Sequence, residues 1–126
     1  MKRVDLHVPI YDWTVTIITI YNQGCKEAVQ KVLKDFNLPQ QEKILNDVSK
    51  ENYNGGVTFT KKAQRKAVII IFPWTEERYF VRTMNHEKRH LVDEILKWHS
   101  VEDGEAAAYL DGFISEEIYN RLNELK

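Results

Sequence analysis

The sequence predicts an α+β fold: a small, largely antiparallel four-stranded sheet, one or two helices in the N-terminal half, and a helical C-terminal half. Three observations predict it. Runs rich in β-branched and aromatic residues, some alternating with period two, occur only before residue 75. Between Cys25 and Phe36 the apolar spacing becomes helical. After Trp74 no strand-like run recurs, and apolar residues keep helical spacing almost to the end. At 126 residues the chain supports one core, so a single domain over 1–126 is expected.

Taken in order, Val4, Leu6, Val8 and Ile10 alternate with polar or small residues and form the first strand, with Pro9 marking it as short or peripheral. Tyr11-Asp12 makes a hairpin turn into the run Trp13–Tyr21, which Asn22-Gln23-Gly24 ends. Ala28, Val29, Val32, Leu33 and Phe36 define a helix stopped by Asn37-Leu38-Pro39. Ile44, Leu45 and Val48 allow a second short helix within 40–52. Asn54-Gly55-Gly56 turns the chain into strands at about Val57–Thr60 and Lys66–Phe72. The basic residues of Lys61–Arg65 between them read as a solvated hairpin tip. Thr75-Glu76-Glu77 is a cap signal for a long helix that starts between Thr75 and Thr83 and runs to about His99. Gly104 and Gly112 punctuate the C-terminal stretch, and Ser115-Glu116-Glu117 caps a last helix reaching Leu125.

Composition excludes several classes. Apolar residues at 43% and charged residues at 29% rule out disorder, collagen and a disulfide scaffold. Eighteen basic residues against nineteen acidic ones give a net charge of −1, so bulk charge calls for neither nucleic acid nor a membrane surface. From Glu102 onward seven acids face only Arg121 and Lys126, which reads as a solvated acidic helix face or a partner surface. Cys25 has no internal partner and no basic helper nearby in sequence, so a buried structural thiol and a reducing, cytoplasmic setting are expected. The longest apolar run, Ala67–Phe72, falls far short of the roughly 20 residues of a membrane helix, and no signal-peptide core follows Met1.

The long helix carries His86-Glu87-Lys88-Arg89-His90, an H-E-x-x-H pattern. Residues four apart lie one turn above each other, so both imidazoles can reach one metal ion. Glu87, about 100° round the axis, can reach a water in the ion's open position. Zinc suits two imidazoles plus a carboxylate, with water as fourth ligand. Leu91, Val92, Ile95, Leu96 and Trp98 form an apolar arc of about 160°, and His86, His90, Asp93 and Lys97 cluster opposite. A solvated helix would show that same polar face, so a zinc site needs something folded over it. Glu105, opening the next helix after Ser100–Gly104, is the preferred third ligand, with His99, Asp93 and Asp103 as alternatives. Asp93 suits better the task of orienting an imidazole N–H. Tyr109, one turn after Glu105, could hydrogen-bond an oxyanion, although a core or hydrogen-bonding tyrosine reads better.

The span His86–Ile114, with Glu105-x-x-Ala108-Tyr109-Leu110-x-Gly112-Phe113-Ile114 after the motif, resembles small zincin-like proteins of bacteriophages and prophages. The opening Val8-Pro9-Ile10-Tyr11-Asp12 and its following β run resemble theirs as well. The resemblance implies a minimal glutamate-zincin metallopeptidase with His86, His90 and Glu105 holding Zn2+ and Glu87 as base. Lys88-Arg89 and Trp98-His99 depart from the pattern, which puts substrate preference in question but leaves the ligands intact.

The function expected is therefore zinc-dependent hydrolysis of a peptide or protein, with the strand Ala67–Phe72 able to pair with an extended substrate if it lies at a sheet edge. Two other readings compete: a non-catalytic zinc-binding assembly protein of a phage or mobile element, and a metal-free interaction module. His7 reads as a surface histidine, and Trp13, Trp74 and Trp98 as core or rim anchors.

Overall fold

The computed structural model describes residues 1–20, 25–39, 45–46 and 54–126. Strands β1 (Lys2–Val8), β2 (Trp13–Thr19), β3 (Gly56–Lys61) and β4 (Lys66–Ile71) form one sheet in the order β1-β2-β4-β3. β1–β2 and β3–β4 are antiparallel, and the central pair β2–β4 is parallel, with Thr14 opposite Lys66 and Thr19 opposite Ile71. That parallel pair explains two near-continuous apolar runs: beyond the exposed Thr14 and Lys66 at one end, both strands are buried on both faces. β1 keeps its alternation because Val4, Leu6 and Val8 point to one buried layer while Arg3, Asp5 and His7 stay exposed. Pro9 ends β1, and the Asp12 N–H closes the turn onto the Pro9 carbonyl at 3.2 Å.

One face of the sheet is covered by helix α1 (Cys25–Asp35), whose Val29, Val32 and Leu33 pack on Ile18, Phe59, Val68 and Ile70. The other face receives α2 (Glu77–Trp98), α3 (Gly104–Asn120) and the short α4 (Leu122–Leu125). α2 and α3 form an antiparallel hairpin, turned through Ser100 at φ 56. Of the short helix expected within 40–52, only Leu45 and Asn46 are described, and both are helical. The Cys25 side chain also lies outside the described residues.

Three expectations need correction. The strand corresponding to Ala67–Phe72 is β4, which is internal; the edges of the described sheet are β1 and β3. Ser115 does not cap a last helix, because α3 runs unbroken through Gly112 and the Ser115 hydroxyl donates to the Asp111 carbonyl one turn back at 2.7 Å. Thr75 does not cap α2: Glu76 occupies the cap position, and Thr75 is drawn to Asn54, whose Oδ1 accepts from the Thr75 N–H at 2.8 Å. No described helix is long and apolar enough to cross a membrane.

Candidate metal centre

α2 presents two faces to the rest of the molecule. Leu91, Val92, Ile95 and Leu96 enter the core. Turned away from that core, Thr83, His86, Glu87, His90 and Glu94 run along the edge strand β3 and line two adjoining clefts of ≈ 330 and ≈ 490 Å³. His86 and His90 are exposed, and their Nε2 atoms lie 3.0 Å apart with the rings edge to face. Two imidazoles sharing a tetrahedral zinc at about 2.0–2.1 Å would hold their nitrogens roughly 3.3–3.4 Å apart, close to what is observed. His86, Glu87 and His90 each offer a donor atom within 4.8 Å of the others. The donor set is therefore chemically suited to a divalent ion of zinc type.

Glu87 is 5% exposed, unusual for a carboxylate. Its Oε2 accepts a hydrogen bond from the Thr58 hydroxyl at 2.9 Å, and the same hydroxyl lies 3.2 Å from the Glu87 carbonyl oxygen. Oε1 has no such bond, yet no fully buried side-chain polar atom among the described residues lacks a partner. One oxygen is thus anchored and the other opens on the cleft. The close approach of strand and helix depends on Gly56: a Cβ there would stand 2.7 Å from the Ile70 carbonyl, 3.0 Å from Thr83 Cγ2 and 3.3 Å from Glu87 Cγ.

The structure brings together His86, Glu87 and His90 and does not bring Glu105 to them. Lys88 lies two residues from each histidine, hence about 160° round the helix, and it is the residue that meets α3. Its ammonium is buried against Ser115 Oγ at 2.6 Å, Asn85 Oδ1 at 3.3 Å and Asp111 Oδ1 at 3.5 Å. α3 therefore passes on the side of α2 opposite the imidazoles. Glu105 precedes Asp111 by about 9 Å of helix, which in an antiparallel hairpin carries it still further from His86. It is a helix-start acid whose backbone N–H is capped by Asp103 Oδ1 at 2.9 Å.

The other expected candidates are engaged elsewhere. His99 Nε2 lies 2.9 Å from Trp13 Nε1, and because an indole N–H only donates, the His99 lone pair is used there. Tyr11 stacks on the same ring at 4.8 Å. Asp93 pairs with Arg89 at 3.2 Å rather than with an imidazole. Tyr109 is 61% exposed and lines neither cleft beside the histidines.

Sequence reasoning missed Gly56 and Thr58. The available signal was the alternation Gly56-x-Thr58-x-Thr60, a small polar row on a strand whose Phe59 faces the opposite core. At the far end of the cleft, Lys62 pairs with Glu94 at 2.8 Å. No family model, curated protein or solved structure significantly matches the chain.

Proposed function

We propose that the protein is a zinc-dependent hydrolase of peptide bonds in which His86 and His90 hold the ion and Glu87 is the general base. The observation that carries this reading is the 3.0 Å convergence of the two Nε2 atoms beside a carboxylate with one oxygen anchored and one open. Zinc, when bound, would supply a Lewis acid that polarises a carbonyl and acidifies water to a pKa of about 7. Glu87 Oε1 takes the proton of the attacking water and returns it to the leaving amine. Thr58 keeps Oε2 occupied, so the carboxylate presents a constant edge to the cleft. β3 is an edge of the sheet among the described residues and lies beside the histidines, where an extended peptide can add as a further strand. The substrate class of this reading is a peptide or protein, and the lone cysteine suits a reducing, cytoplasmic setting.

The test is zinc content with peptide turnover. Glu87→Gln is expected to keep zinc and lose hydrolysis, falling by about 10²–10⁴-fold as for a removed general base. His90→Ala is expected to lose zinc. Glu105→Gln is expected to keep both, because the helix hairpin holds it away from the pair. Wild-type protein that takes up no zinc after expression in supplemented medium overturns the reading.

A second reading, a metal site without turnover in an assembly protein of a phage or mobile element, is favoured by one observation: neither Glu105 nor Tyr109 completes the cluster. Zinc binding in wild type, with peptide turnover no greater than in Glu87→Gln, would decide for it.

A further inference from the structure

Glu87 is placed where it could do either of two incompatible things. A carboxylate oxygen lies within 4.8 Å of both imidazole donor atoms, close enough for a small rotation to make it a ligand. A carboxylate that ligates zinc gives up to the ion the lone pair that proton transfer needs, so it can no longer serve as the base even though a fourth position would stay open to water. No described side chain of α2 bonds to the Glu87 carboxylate. What opposes it comes from another element. The Thr58 hydroxyl on β3 donates its one proton to Oε2 at 2.9 Å, with the Glu87 carbonyl oxygen as the longer, second acceptor at 3.2 Å. Gly56, two residues earlier on the same face of the strand, lets β3 come near enough for that bond to form.

We infer that Thr58 is a positioning residue that tethers the Glu87 carboxylate away from the metal and so keeps it a base rather than a third ligand. The inference rests on His86 and His90 being the ligands. A merely structural role and a restraining one predict opposite signs. If the strand only supports the helix, removing the hydroxyl loosens the site and weakens zinc. If the hydroxyl restrains Glu87, removing it releases a ligand and zinc binds more tightly.

The experiment is a zinc titration of metal-free protein against a chromophoric competing chelator, in wild type, T58V, T58A, T58S, E87Q and T58V/E87Q, with circular dichroism confirming that each is folded. T58V is nearly isosteric with threonine, and T58A removes the same hydroxyl should the valine distort the strand. Both are expected to bind zinc about tenfold more tightly than wild type, the scale on which outer partners tune metal affinity. T58S keeps the hydroxyl and is expected to retain wild-type affinity. T58V/E87Q is expected to show no gain over E87Q, since no carboxylate is left to recruit. Affinity unchanged or weakened in both T58V and T58A overturns the inference, as does a gain that survives in T58V/E87Q. Wild-type protein that binds no zinc overturns the reading of the site itself and this inference with it. Zinc binding without peptide turnover would defeat only the proposed reaction, because the affinity order is measured without substrate.

Discussion

Asp5 shows how a single exposed side chain on β1 is tied into the sheet. It accepts from Arg3 Nε at 3.1 Å and Nη2 at 3.2 Å, and from the Thr16 hydroxyl of β2 at 2.8 Å. Burial pushes its pKa up, but the hydrogen bonds from Arg3 and Thr16, with the guanidiniums of Arg3 and Arg121, outweigh burial and hold it below the ordinary carboxylate value. The folded state thus binds this proton less readily than the unfolded chain. The stability Asp5 contributes is complete above the unfolded-state pKa of about 3.9 and disappears as pH falls through the depressed folded value. Urea midpoints measured against pH are expected to show wild type more stable than Asp5→Asn near neutrality, with the two converging in acid. Because the groups are about half exposed, the difference should also shrink in salt. None of this was legible in the sequence: Asp5 and Thr16 are neighbours only because β1 and β2 pair in register, with Asp5 opposite Thr16.

The element that sets the site is β3, and Gly56 is where it touches α2. Alanine there would press a methyl against the Ile70 carbonyl of β4, which is backbone in a central ladder and cannot yield. Gly56→Ala is expected to cost about 1–3 kcal/mol in chemical denaturation, the scale of overpacking. Gly55→Ala is the control: its methyl would meet only Phe72 Cδ2 at 3.7 Å, an ordinary contact, and the expected loss is much smaller. The long helix and its H-E-x-x-H spacing were legible because both depend on positions within one turn. The side on which α3 would pass was not. A helical wheel separates the histidines from the apolar arc but leaves open what each flank meets. Here Lys88, a charged residue, takes the flank against α3, while the imidazoles turn to the strand. Glu105 was therefore a reasonable ligand by local order and an unsuitable one by hairpin geometry.

Across the whole molecule, the C-terminal residues close the fold onto its first two strands. Leu125 is fully buried in the layer that holds Val4, Ile17 and Ile71, and its carbonyl accepts from the Thr19 hydroxyl at 2.6 Å. Arg121 donates to the Asp5 carbonyl at 2.6 Å, and Lys126 is paired with Glu77 at the start of α2. Leu125→Ala is expected to cost about 2–5 kcal/mol, as for large-to-small changes in a packed core, and thermal unfolding measures it directly. Part of the acidic tail is thus spent on contacts within the chain. The sequence by itself determined the α+β class, the strand runs, the long helix and the pair of histidines on one of its faces, because hydrophobic period and i,i+4 spacing are local properties of the backbone. Only the tertiary structure decided the parallel pairing of β2 with β4, the choice of β3 as edge, and the partners of each flank of α2. Those are contacts between residues tens of positions apart, which the local period of the chain does not specify and which packing of apolar faces from separate elements decides.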